Sequence, residues 1–174
     1  MEKIEFKYFR DPKNFAYKID DSRPCSLCGK EGVWFDGGGF YGVADIDCIC
    51  ETCLADGKLK ALEIEINEAF EGTEEQKEEI VYRTPALPTW QELRWPFVDG
   101  DYCVFEKIAS KSDFADKEEF EGAFTEEEKK ISDLDAVWDR MPAKTITSIQ
   151  DGNYDVSVYL FSRNGSKHCT WDAS

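Results

Sequence analysis

Two cysteine pairs constrain this chain more than any other feature. Cys25-Ser-Leu-Cys28-Gly29 and Cys50-Glu-Thr-Cys53 each hold cysteines separated by two residues, with 21 residues between the pairs. A Cys-x-x-Cys turn presents two thiolates to one cation while neighbouring backbone amides offset their charge. Gly29 permits the tight turn that such a knuckle needs. Four thiolates arranged as a tetrahedron form a closed structural site for Zn2+. The interval is slightly longer than the common spacing for two such pairs, and a glycine-tipped hairpin fills it. The sequence thus points to one structural zinc held by Cys25, Cys28, Cys50 and Cys53.

The first pair sits in a loop before the expected hairpin, and the second at the start of an expected helix. That order of knuckle, hairpin and helix is treble-clef-like. Cys48-Ile-Cys50 also offers a thiolate, so Cys48 is an alternative ligand. The two-residue spacing favours Cys50 and Cys53, leaving Cys48 as a strand thiol packed near the site. A redox Cys-x-x-Cys calls for an exposed thiol in a βαβ context, which the pattern lacks. A catalytic zinc keeps one position open and recruits His or carboxylate, whereas four cysteines close the sphere.

The chain has seven cysteines, an odd number that no fully paired disulfide framework accommodates. Its first 14 residues mix charges with single apolar residues, unlike a secretory signal. No apolar run approaches the roughly 20 residues of a membrane span. These features place the chain in a reducing cytoplasm, without membrane insertion. There are 37 acidic and 21 basic residues, a net charge of -16. Such a balance argues against nucleic-acid binding, which needs a basic surface, and leaves a basic protein partner open. Glu63 to Glu79 and Asp113 to Glu128 each hold eight acids and one lysine, together -14 of the -16. Charge runs of this kind usually serve as solvated faces.

The remaining pattern reads as an α+β chain: a four-cysteine zinc finger packed on a small antiparallel sheet with a few helices. The expected organisation is one domain over 1–174, with a zinc-finger module at 20–70 and helices and C-terminal strands at 73–174. Ile4 to Tyr8 alternates as a strand. Val33–Phe35 and Phe40–Val43 flank Gly37-Gly38-Gly39 as hairpin arms. Cys53 to about Phe70 reads as helix, with Gly57 weakening its start. Thr73 with Gln76 is a capping box for a helix from Glu74 to Tyr82, stopped by Pro85. Thr89 with Glu92 and Thr125 with Glu128 repeat that signal. The last of these opens a helix with Ile131, Leu134, Trp138 and Met141 on one face. Strands are expected at Tyr102–Ile108, Thr145–Gln150 and Tyr154–Phe161. Tyr154, Val156, Val158 and Leu160 share a face of the last of these. Asn164-Gly165 then turns the chain into an antiparallel return over Lys167–Trp171.

Arg83, Trp90, Gln91 and Trp95 form a polar and aromatic group that is a candidate binding surface. Tryptophans beside Pro85, Pro88 and Pro96 serve equally well to pin an irregular loop onto a core. Nothing resembles a nucleophile–base pair, a phosphate loop or a diagnostic carboxylate set, so no catalytic residue is assigned. His168, Cys169 and Cys103 read as packed or surface side chains.

Taken together, several segments resemble the CbrC family, the colicin-tolerance-like proteins of bacteria. They are Phe6-Lys7-Tyr8-Phe9 with Asp11-Pro12, the Cys25-x-x-Cys28-Gly29 knuckle, and Cys50-Glu-Thr-Cys53-Leu-Ala-Asp-Gly57. Arg83-Thr84-Pro85 with Trp90-Gln91 and Trp95, and Tyr159-Leu160-Phe161 with Lys167-His168, complete the pattern over nearly the full length. The family pattern also has a His-Cys after the second tryptophan and a further cysteine pair before the final strand. Here those places read Pro96-Phe97-Val98-Asp99 and Ser162-Arg163-Asn164-Gly165, so the resemblance carries over one metal site and not a second. It implies an association with tolerance to a bacterial toxin and no particular reaction. The reading is therefore a zinc-stabilised interaction protein with an unknown protein partner, for which the charge leaves a basic one open. The alternatives are an immunity-like protein that neutralises a basic toxin, and an enzyme with a pocket around Arg83, Trp90 and Trp95.

Overall fold

The computed structural model describes residues 4–91, 94–152 and 155–173. A short helix α1 (Pro12–Phe15) precedes four two-residue strands, β1 (Arg23–Pro24), β2 (Glu31–Gly32), β3 (Phe35–Asp36) and β4 (Cys48–Ile49). Helices α2 (Glu51–Ala55), α3 (Lys58–Ala61) and α4 (Glu74–Arg83) follow. Then come β5 (Phe97–Val98), β6 (Asp101–Tyr102) and β7 (Val104–Ile108), and helices α5 (Lys117–Gly122), α6 (Glu126–Ile131) and α7 (Leu134–Arg140). The long hairpin β8 (Val156–Arg163) and β9 (Ser166–Ala173) closes the chain. The result is a mixed α+β fold, as the sequence pattern indicates. Among the described residues no helix is long and apolar enough to cross a membrane.

The largest sheet is antiparallel in the order β7-β8-β9. Successive side chains of a strand point to opposite faces, so the central strand β8 serves two cores at once. Tyr159 and Phe161 enter a core shared with Phe9, Phe105, Trp95 and Tyr102, and with Cys25, Cys50, Cys53 and Leu54 of the cysteine region. Val156, Val158 and Leu160 enter a second core with Phe114, Phe120, Phe124, Leu134 and Val137. The shared face of Val156, Val158 and Leu160 is as expected, while Tyr154 lies outside the described residues. Asn164 and Gly165 take φ +51° and +80°, the left-handed pair that a two-residue hairpin turn demands. Phe105 is the hub of the first core, with rings of Phe9, Phe161 and Tyr159 at 4.9, 5.4 and 6.3 Å.

Several elements differ from the sequence pattern, each for a local reason. Ile4 to Tyr8 is not a strand: Phe6 and Phe9 close a tight turn (3.4 Å) that buries Phe6, Tyr8 and Phe9 together. β3 pairs with β4 and not with Phe40–Val43, so the connection across the glycines is longer than a simple hairpin. Residues 62–70 are not helical, and the expected helix from Cys53 to Phe70 is replaced by the short α2 and α3. Gly57, at φ +72°, separates them, and Glu63 at φ +55° ends the second. The helix opened by Thr125 breaks at Ser132, because Asp133 starts a new one by accepting from Ala136 N at 3.1 Å. Ile131 thereby leaves the expected stripe and is 73% exposed, whereas Leu134 and Met141 are buried. Thr145–Gln150 forms no strand. Thr147 Oγ1 donates to Asp151 Oδ2 at 2.6 Å, and that local bond replaces ladder pairing. The Thr73 capping box does form, with both reciprocal bonds, and opens α4. Glu92, half of the Thr89 signal, lies outside the described residues.

Truncating Phe105 to Ala should destabilise the fold by about 3–5 kcal/mol, the range for a large buried aromatic. Thr73→Ala should remove about 1 kcal/mol by uncapping α4. Urea unfolding at fixed metal content checks both, and equal effects would contradict the central place given to Phe105.

Candidate metal centre

The cysteine region has too little regular structure to hold its own shape, and its geometry comes from turns. Cys25 N donates to Lys30 O and Gly29 N to Cys25 O, both at 2.9 Å, which closes the knuckle between β1 and β2. Gly29 sits at φ +76°, a left-handed conformation that disfavours any side chain. Ser26 ties the knuckle to β4: its N donates to Cys48 O at 3.0 Å, and its Oγ accepts from Asp47 N and Cys48 N. Cys50 is the N-cap of α2, with its Sγ accepting from Cys53 N at 3.4 Å.

These constraints bring the sulfurs of Cys25, Cys28, Cys50 and Cys53 within 4.8 Å of one another. Zn–S bonds of about 2.3 Å in a tetrahedron require sulfurs roughly 3.8 Å apart. Cys28 Sγ and Cys50 Sγ stand at 3.7 Å, so the donor set fits a closed four-thiolate site. Cys25, Cys50 and Cys53 are buried, while Cys28 is exposed at the outer corner.

The electrostatics are uneven across the cluster. Burial opposes the Cys25 thiolate, but N–H groups of Cys50, Leu27 and Cys28 act on its sulfur and hold the thiol down at about 6. The Cys50 N–H to Cys25 Sγ distance is 3.3 Å. Burial, with hydrogen bonds to Cys50 and Cys28, pushes Cys53 up to about 12. Lys58 Nζ donates to Cys53 Sγ at 3.4 Å and acts the other way. Burial also raises Cys50. Cys48 does not join the four: its Sγ donates to Pro24 O at 3.3 Å on the buried side of β4. Among the described residues the cluster contains no histidine. His168 sits on β9 opposite Phe161, and burial lowers its pKa.

The second candidate group does not converge. Trp95 is buried in the first core and donates from Nε1 to Cys103 O at 2.8 Å. Arg83 packs over Gly57, where an added Cβ would meet its Nε at 2.5 Å, and lies 4.0 Å from Glu79. Arg83 therefore braces the back of the cysteine region. Trp90 and Gln91 do share a place, on one wall of an open cleft of about 650 Å³. Their backbone N–H groups donate to Asp172 Oδ2 at 2.7 and 3.0 Å. Asp172 is buried, and its Oδ1 accepts from Tyr159 Oη at 2.6 Å. Sequence reading missed Lys58, Ser26 and Asp172. A lysine five residues after the last cysteine was the only signal for Lys58, and nothing local marks Asp172 as a buried acceptor.

The model of the uncharacterised protein family UPF0167 matches residues 4–172. UPF0167 proteins of Mycobacterium bovis and Mycobacterium tuberculosis are each 25% identical to the chain over 119 residues. The match covers 64% of this chain and 64% of each relative's own length. No solved structure matches.

Outer groups that orient or neutralise metal ligands typically change affinity 10–100-fold when removed. Lys58→Met should accordingly weaken metal retention by at least about tenfold in chelator competition. An unchanged affinity would show that the Lys58 contact with Cys53 does not bear on the centre. Asp172→Ala should destabilise the fold by roughly 2–3 kcal/mol, because the Trp90 and Gln91 N–H groups lose their acceptor and the Tyr159 hydroxyl is left with Pro88 O alone. Thermal unfolding reads this effect, and a wild-type midpoint would refute it.

Proposed function

This chain belongs to the uncharacterised protein family UPF0167, and we propose that it is a zinc-binding interaction protein in which one structural Zn2+ organises the region that carries recognition. The observation that carries this reading is the convergence of four cysteine sulfurs within 4.8 Å. Cys25, Cys28, Cys50 and Cys53 would hold the ion, which supplies cross-linking and charge neutralisation to a segment whose strands are two residues long. All-thiolate coordination favours zinc over harder cations, and a closed sphere leaves no position for a substrate. The role is structural, because binding energy at such a site is folding energy.

The segments that resemble the CbrC family support a narrower proposal, a role of the colicin-tolerance type in the cytoplasm. The acidic stretches bear on the partner. Glu74 and Glu126, at the first turns of α4 and α6, have side chains 86% and 84% exposed. Surfaces of this charge steer a basic protein partner on approach, and the association slows as salt rises. A basic toxin domain is one such partner.

Zinc removal provides the test. Adding a strong chelator should unfold the segment from Cys25 to Ala61, and Cys28→Ser should do the same without chelator. Unchanged melting in both cases would overturn the structural role. Thiols raised by burial, Cys50 and Cys53, hold protons at neutral pH when no metal is bound. Loading zinc therefore displaces protons from these thiols, and affinity should fall as pH drops from 8 to 6. Calorimetry in buffers of different ionisation enthalpy measures the release. A zinc affinity that does not change over that pH range would contradict thiol coordination.

A further inference from the structure

The open cleft beside Trp90 lies outside the metal centre, and its walls have an unusual chemistry. Tyr17, Phe40, Tyr41 and Trp90 line it, above an apolar floor that includes Leu87. Large aromatic side chains normally bury themselves, yet here Tyr17 is 42%, Tyr41 80% and Trp90 39% exposed. Three of the eight large apolar side chains exposed among the described residues therefore face this one cleft. That concentration is the mark of a binding site and not of scattered surface residues.

The charged groups all have one sign. Asp36, Glu65 and Glu68 line the cleft, and no Lys, Arg or His does so among the described residues. None of the three forms an ion pair with a described residue. Behind Trp90, the buried Asp172 has two backbone N–H groups and a tyrosine hydroxyl as partners, with no basic side chain against it. Asn67 spends its Nδ2 on the carbonyls of Ile80, Thr84 and Pro85. Gln91 likewise commits its Nε2 to Ala173 O. The cleft is rich in π faces, carboxylates and acceptors, and has no basic side chain among the described residues.

From this we infer that the cleft is a binding site for a small organic ammonium ion. The cation lies against the faces of Trp90, Tyr17 and Tyr41, where the negative ring faces attract it, while Asp36, Glu65 and Glu68 raise its local concentration. A cleft of about 650 Å³ is in the range for metabolite-sized ligands. An anion is disfavoured by three carboxylates, and a neutral apolar ligand leaves their charge uncompensated.

The experiment titrates the zinc-loaded full chain with choline and follows the Trp90 indole signal in 1H–15N spectra. Three comparison probes are 3,3-dimethylbutan-1-ol, the neutral carbon isostere of choline; acetate; and a capped Gly-Lys-Gly peptide. Choline should shift the Trp90 signal saturably, and the neutral isostere should bind at least tenfold more weakly. Trp90→Ala should abolish choline binding read by isothermal calorimetry, and Glu65→Gln with Glu68→Gln should weaken it several-fold. Tyr41→Ala provides an independent variant whose exposed position leaves folding intact, and it should also weaken binding. No response to choline at tens of millimolar, or equal binding of the neutral isostere, would overturn the inference. Binding of the lysine peptide without choline would overturn the small-molecule assignment and place a basic peptide side chain in the cleft instead.

Discussion

Convergence of four sulfurs is the constraint on which the first half of this protein depends. Each strand from β1 to β4 is two residues long, so hydrogen-bond ladders cannot fix the relative positions of knuckle, hairpin and helix. The fixed points are Gly29 in the knuckle, Ser26 between knuckle and β4, and Cys50 as both helix cap and member of the sulfur cluster. Three of the four cysteines also belong to the core that contains Phe105 and Phe161. The cysteines therefore tie their own region to the sheet, which is how loss of a bound metal would reach beyond that region.

The second half is organised by burial. β8 has apolar side chains on both faces because the cysteine region and α1 cover one side and α5 and α7 the other. Asp172 on β9 then binds the Trp90–Gln91 loop to the sheet edge through backbone N–H groups, so the cleft wall hangs from a buried carboxylate. The cysteine cluster and the cleft thus have separate supports in one fold, one made of sulfur and one of hydrogen bonds around Asp172 and Tyr159.

Local chemistry in this chain was legible where a residue's partner lies a few positions away. Thr73 with Gln76, Asn164 with Gly165, and the two cysteine pairs all belong to that class, and their geometry forms. Longer helices were misread because a capping residue inside a periodic run is silent in the periodicity. Asp133 splits the run after Thr125, and Gly57 splits the run after Cys53. Arg83, Trp90 and Trp95 are close in sequence but go to three destinations: the back of Gly57, a cleft wall and the core. Which way each points depends on partners up to 82 residues distant, as with Trp90 and Asp172. No local pattern encodes that choice. The cleft itself draws on Tyr17, Tyr41 and Glu65, which only the fold brings together.

Four-thiolate coordination is the central claim, and X-ray absorption at the zinc edge of the purified protein tests it most directly. The expected spectrum fits one shell of four sulfurs at about 2.3 Å, with one zinc per chain. A shell containing nitrogen or oxygen donors, or a folded protein that carries no zinc, would contradict it.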